Sequence, residues 1–121
     1  MVQWTYENAK RCRLLNHIIV ATDDEAIANV ITDIGGEVAM TDPAIATGSD
    51  RAAVVARAHP TADIIINLQG DEPFIRPEML EQLVAPFFSD NAPCMTTLAY
   101  PLTPDKYTSP GSVKVITDLN G

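Results

Sequence analysis

Two adjacent carboxylates, Asp71 and Glu72, stand between a glycine and a proline in the run Ile64-Ile65-Ile66-Asn67-Leu68-Gln69-Gly70-Asp71-Glu72-Pro73. Carboxylates on a tight turn suit a hard cation such as Mg²⁺, which takes oxygen ligands and fills its shell with waters and substrate phosphates. Gly70 permits the turn and Pro73 fixes φ and ends pairing. The residues before them, four of five apolar and three β-branched, read as a fully buried strand of a parallel sheet. Asp71 and Glu72 then fall just past the carboxyl end of that strand, where open α/β sheets bind ligands. The other reading of Asp71 is a helix cap with no ligand.

A second polar cluster is Thr47-Gly48-Ser49-Asp50-Arg51. Small residues that let the backbone approach, free N–H groups at a helix start and a guanidinium make an anion or polar-base site. Its plainer reading is an N-cap followed by a surface arginine. Gln69 can donate and accept through its amide: on the ligand side of the strand end it reads a hydroxyl or a base, and buried it satisfies backbone groups. His17 and His59 read as structural or exposed. Lys114, between valines, is an edge-strand charge facing water or a phosphate contact. The sequence has no Ser/His/Asp or Cys/His arrangement for a nucleophilic hydrolase, and neither G-x-x-x-x-G-K-[ST] nor G-x-G-x-x-G.

Composition narrows the class. At 46% hydrophobic and 20% charged residues the chain is that of an ordinary soluble globular protein, with no run approaching the ~18 apolar residues of a membrane span. A formal net charge of -8 and scattered basic residues, Lys10, Arg11 and Arg13 apart, argue against a nucleic-acid surface. Cys12 and Cys94 lie far apart without metal-ligand spacing, so a reduced, cytoplasmic chain is expected, and Met1-Val2-Gln3-Trp4 has no signal pattern. A chain of 121 residues is one domain at most.

The elements that must position these residues follow from spacing and punctuation. Trp4, Tyr6, Ala9, Cys12 and Leu15 suggest a helix over 3–15, and residues 17–22 an apolar, β-branched strand. Asp23 is expected to cap a helix over 24–33, which Gly35-Gly36 stops before a short strand at 37–41. Thr47 to Asp50 starts a small-residue helix over 51–58 that ends at His59-Pro60. After the strand at 63–68, Pro77 opens a helix to about residue 88 with Met79, Leu80, Leu83 and Phe87 on its apolar face. Strands at 95–100 and 112–117, an irregular stretch between them and a turn at 118–121 complete the reading. Alternating strands and helices give a three-layer α/β/α fold with a mainly parallel sheet. One feature is out of order: no strand precedes the first helix.

Taken together, Ile19-Val20-Ala21-Thr22-Asp23, Gly35-Gly36-Glu37-Val38-Ala39-Met40-Thr41, Thr47-Gly48-Ser49-Asp50-Arg51, Asn67-Leu68-Gln69-Gly70-Asp71-Glu72-Pro73 and Val113-Lys114-Val115 resemble, in order and spacing, the 3-deoxy-manno-octulosonate (Kdo) cytidylyltransferase family. Nearly the whole chain takes part in the resemblance. It implies an incomplete nucleotide-diphospho-sugar transferase (Rossmann-like) fold, spanning 1–121 as a single partial nucleotidyltransferase domain. The implied reaction is Mg²⁺-dependent: the anomeric hydroxyl of Kdo attacks the α-phosphate of CTP, pyrophosphate leaves, and CMP-Kdo serves lipopolysaccharide assembly. By motif position Asp71 is the metal ligand and catalytic residue, Thr47, Gly48, Ser49 and Arg51 bind the nucleotide, and Gln69 contacts the sugar acid or the ribose.

The departures from the family are equally specific. Its members begin with a strand and a basic, glycine-containing loop that wraps the triphosphate, and they continue into a segment that supplies sugar-binding residues, a second metal-binding aspartate and most of the dimer contact. Neither segment is found in this sequence. Two further readings therefore stand beside the first: a catalytically inactive fragment or interaction remnant, and an enzyme of this fold for another sugar acid. CTP and Kdo are the expected small-molecule partners, with no nucleic acid and no membrane, and open sheet edges leave room for a second copy or a missing partner segment.

Overall fold

The computed structural model describes residues 1–116. Helix α1 (Val2–Ala9) leads into strand β1 (Ile19–Thr22), followed by helix α2 (Glu25–Asp33), strand β2 (Glu37–Met40), helix α3 (Gly48–Arg57) and helix α4 (Pro77–Val84). Single 3₁₀ turns lie at Ala85–Phe88 and Pro104–Lys106. β1 and β2 pair in parallel, with Ile19 opposite Glu37 and Thr22 opposite Met40. This β1–α2–β2 unit is the alternation the sequence predicts, and it makes the fold α/β.

Local chemistry explains where the helices start and stop. Asp24, not Asp23, caps α2: its Oδ1 accepts from the backbone N–H groups of Ala26 (2.7 Å) and Ile27 (3.1 Å). At the other end Gly35 takes φ +73°, which favours glycine. The N–H of Gly36 donates to the Ile31 carbonyl (2.8 Å) and that of Gly35 to the Thr32 carbonyl (2.9 Å), the paired bonds of a Schellman cap. Gly36 has a second task, because a Cβ there would lie 2.5 Å from Ile31 Cγ2 and 2.9 Å from Tyr6 Cζ. The missing side chain thus lets α1 pack onto the end of α2. Pro77 opens α4 at its first turn, as expected.

The core gathers Ala9, Cys12, Ile75 and Leu80, with Leu15, Ile18, Ile66, Leu68, Met79 and Leu83 packed against them. Leu80 and Ile31 are fully buried, and each such side chain contributes about 1.5–3 kcal/mol relative to exposure. On α4, Leu80 and Val84 are buried and Met79 and Leu83 half-buried, so its apolar face is the expected one.

Several expected elements differ. The opening helix ends at Ala9 and not near residue 15, because its last turn tightens into i→i+3 bonds from Arg11 to Asn8 and from Cys12 to Ala9. Cys12 still reaches the core, but from a turn, while Trp4 is 63% exposed. Residues two apart, such as Trp4 and Tyr6, do not share a helix face. The segment 63–68 is not hydrogen-bonded into the sheet among the described residues, and it is not fully buried. Ile64, Ile66 and Leu68 are half-buried while Ile65, Asn67 and Gln69 are exposed, the alternation of a segment packed on one face only. Residues 95–100 and 113–116 likewise carry no ladder among the described residues. The first of these segments is tied to α4 by Thr96, whose hydroxyl donates to the Leu83 carbonyl (2.8 Å). Position 117 and the expected turn at 118–121 lie outside the described residues.

Candidate functional site

Three chain segments meet where β1 and β2 end. α3 begins at Gly48, three residues earlier than the sequence suggests, and Thr47 caps it. The Thr47 hydroxyl accepts from the Asp50 backbone N–H (3.1 Å) and donates to Asp50 Oδ2 (2.6 Å), so cap and third helical residue hold each other. Arg51 lies one turn in. Its guanidinium donates to the Thr41 hydroxyl just past β2 and pairs with Asp23 just past β1 at 3.2 Å. The Arg51 side chain is only 15% exposed, so one planar fork is held from both strand ends. The expected surface arginine is instead part-buried and fixed in direction.

The third segment is the end of the 63–69 run. Asn67 Nδ2 donates to Ser49 Oγ (3.1 Å), and Gln69 Nε2 donates to Asn67 Oδ1 (3.0 Å). A Cβ on Gly48 would sit 2.8 Å from Gln69 Oε1; the absence of a side chain at 48 admits the amide. Gln69 is exposed, which removes its buried, backbone-satisfying reading. The bond between their amides puts the Asn67 and Gln69 side chains on the same side of the segment. The resulting surface alternates donors and acceptors and lies open to solvent, as a polar base edge or ribose requires.

The acidic turn follows directly. The Glu72 N–H donates to the Gln69 carbonyl (3.3 Å) and the Ile75 N–H to the Glu72 carbonyl (3.1 Å). Asp71 is exposed and its carboxylate makes no hydrogen bond among the described residues. It does not cap α4, whose N-cap is Arg76 without a side-chain bond; the plain capping reading of Asp71 is therefore overturned. Two α1 side chains grip the turn on either side: Thr5 Oγ1 donates to the Gly70 carbonyl (3.0 Å) and Asn8 Nδ2 to the Pro73 carbonyl (3.0 Å).

The structure thus brings Thr47, Gly48, Ser49, Arg51 and Gln69 together and places Asp71 one turn beyond Gln69. Among the described residues no group of three His, Cys, Asp or Glu side chains forms a metal cage. A single outward carboxylate nonetheless fits Mg²⁺ bound with a nucleotide, since phosphate oxygens and waters make up the rest of its shell. Lys114 is exposed and donates to the Ser109 carbonyl of its own loop, so it is no edge-strand residue. His17 is exposed and pairs with Glu37 at 3.5 Å. Cys12 and Cys94 are both free thiols. Thr5, Asn8, Thr41 and Asn67 were not singled out as functional residues by sequence, and Asp23 only as a helix cap; Asn67 alone of the first four carries a local signal, its two-residue spacing from Gln69.

Comparison with known proteins fits this geometry. A family model described as Cytidylyltransferase matches residues 1–121. The chain belongs to the cytidylyltransferase family. Within this family it is 48% identical over its full length to the 3-deoxy-manno-octulosonate cytidylyltransferase of Acaryochloris marina, covering 50% of that protein. It is 45% identical, again over its full length, to that of Geobacter sulfurreducens, covering 48%. The chain therefore spans about half the length of the curated relatives it matches. A solved CMP:2-keto-3-deoxy-manno-octonic acid synthetase complexed with CTP superposes with a TM-score of 0.67 at 39% identity, over 75% of this chain and 37% of that one. The cytidylyltransferase fold, seen here as the β1–α2–β2 unit with α3 and α4, is the nucleotidyltransferase fold the sequence implies. Among the described residues no helix is long and apolar enough to cross a membrane.

Proposed function

We propose that this chain takes part in cytidylyl transfer from CTP to 3-deoxy-D-manno-octulosonate, giving CMP-Kdo and pyrophosphate. The supporting observation is the convergence of Gly48, Ser49, Asn67 and Gln69 on one open polar surface immediately before the Asp71 turn, with Arg51 held at the strand ends from the same helix, in a chain 48% identical throughout to a Kdo cytidylyltransferase. Thr47 sets the first turn of α3, whose free N–H groups face the nucleotide, with Gly48 and Ser49 leaving room for the base and ribose. Arg51, held by Asp23 and Thr41, adds positive charge near the start of α3, at the strand ends. Gln69 offers an amide to the sugar acid or ribose, and Asp71 holds Mg²⁺. When bound, that ion would neutralise charge on the triphosphate and its leaving pyrophosphate.

The chemistry asks little more of the protein. The oxygen of the Kdo anomeric hydroxyl bonds to the α-phosphorus, the bond from that phosphorus to the bridging oxygen of pyrophosphate breaks, and the hydroxyl proton passes to solvent. Positioning and charge neutralisation carry such a transfer without a protein nucleophile. The same proposal includes a single partial nucleotidyltransferase domain, a cytoplasmic location where CTP is available, and a second copy or further segment covering open sheet edges.

A second reading, an inactive or interaction remnant of such an enzyme, is supported by one observation: Arg51 is already engaged by Asp23 and Thr41, in a chain of net charge -8, which leaves a triphosphate few free cations. The test is pyrophosphate release from CTP, Kdo and Mg²⁺ by the purified chain. The proposal expects CMP-Kdo to form and Asp71→Ala to lower the rate at least about a hundredfold without unfolding the protein. Absence of product with all three present would favour the remnant, and product from another sugar acid alone would redirect the specificity.

A further inference from the structure

The acidic turn carries its chemistry on Asp71, yet nothing within the turn fixes that side chain. Its backbone bonds, Glu72 N–H to the Gln69 carbonyl at 3.3 Å and Ile75 N–H to the Glu72 carbonyl at 3.1 Å, involve neither Gly70 nor Asp71. The restraint comes from 65 residues away. Thr5 and Asn8 stand one turn apart on α1, and their side chains donate to the Gly70 and Pro73 carbonyls at 3.0 Å each. These two carbonyls bracket Asp71 and Glu72, so the span of the turn is set against the pitch of a helix. The grip is a built one. Thr5 is 4% exposed, and Gly70 lies against Val2 of the same helix, where a Cβ would make ordinary van der Waals contact. α1 is itself anchored by Tyr6 and Ala9 in the core.

We infer that Thr5 and Asn8 are positioning residues, which hold the Gly70–Pro73 turn on α1 so that the Asp71 carboxylate is preset for the metal–nucleotide complex. This rests on the functional reading above and deepens it. Neither residue touches substrate. Their loss frees the turn to sample orientations in which the carboxylate points away, and metal-dependent nucleotide binding falls by the fraction of time spent there.

Two measurements on the full chain test it. Amide hydrogen exchange at Glu72 and Ile75, whose N–H groups close the turn, reads the restraint directly when no ligand is present. Thr5→Val, which keeps the shape and removes the donor, combined with Asn8→Ala, is expected to raise exchange at both amides about tenfold while amides in α3 stay unchanged; Thr5→Ser with Asn8 intact keeps the native rate. Binding of Mn²⁺ with CTP, followed by electron paramagnetic resonance, reads the consequence. The double variant is expected to weaken it about tenfold, Thr5→Ser to restore it, and CTP binding without metal, which rests on the Thr47–Arg51 corner, to hold. Unchanged exchange at 72 and 75, a Thr5→Ser variant as impaired as Thr5→Val, or equal loss of metal-free CTP binding would each overturn the inference. If exchange rises but Mn²⁺–CTP binding in wild type is absent or is untouched by Asp71→Asn, the metal reading of the site fails and takes the functional role of the grip with it.

Discussion

The two corners of the site are built in opposite ways. The Thr47–Arg51 corner is self-contained: cap, capped helix and cation lie within five residues, and Thr47 and Asp50 satisfy each other. Only the aim of Arg51 is borrowed, from Asp23 and Thr41 at the strand ends. The Gly70–Pro73 corner has two backbone bonds of its own but no side-chain one, and is gripped from outside by Thr5 and Asn8 on α1. On the proposed function the first corner reads a base edge and needs a fixed set of donors, which a helix start supplies locally. On the same proposal the second meets a metal and needs one carboxylate in one direction, which a turn held by two outside bonds can provide.

That contrast can be broken from the scaffold. Gly36→Val would drive a side chain into Ile31 and Tyr6 and push α1 away, a cost of about 2–3 kcal/mol in urea unfolding. Where the variant still folds, the acidic turn should loosen while the α3 cap persists; equal loosening of both would erase the distinction. A smaller effect sharpens it from the other side. Arg51→Met keeps the aliphatic stem, leaves Asp23 unpaired and should reduce CTP affinity about tenfold by calorimetry, with or without Mg²⁺. Smallest is Gly48→Ala, whose methyl displaces the flexible Gln69 amide from 2.8 Å. Stability should stay within about 0.5 kcal/mol, while CTP affinity drops only a few-fold.

The same contrast explains what the sequence made legible. Thr47, Gly35 and Pro77 announce helix ends because caps are satisfied within a few residues, and the structure uses all three. Asp24 took the cap assigned to Asp23 because adjacent aspartates compete for one position; its neighbour was released to Arg51. The runs at 63–68, 95–100 and 112–117 have the apolar, β-branched character of strands, but a ladder needs a partner that composition does not name. Ile66 and Leu68 find the core all the same. Overextension of the first helix has a similar origin: Cys12 and Leu15 continue an apolar pattern and reach the core from a turn. In the site, Thr47–Arg51, Gln69 and Asp71 were legible as motifs. Their supports, Thr5, Asn8, Asp23 and Thr41, were not, since each acts across a sequence gap that only folding closes.

On the proposed function, Asp71 anchors a metal–nucleotide complex beside the Thr47–Arg51 corner. Titrating CTP into wild type and Asp71→Asn, with and without Mg²⁺, addresses it most directly. Wild type should bind CTP about tenfold or more tightly when Mg²⁺ is present, and Asp71→Asn should lose that gain while keeping the metal-free affinity. The same Mg²⁺-dependent gain in both proteins would contradict the account.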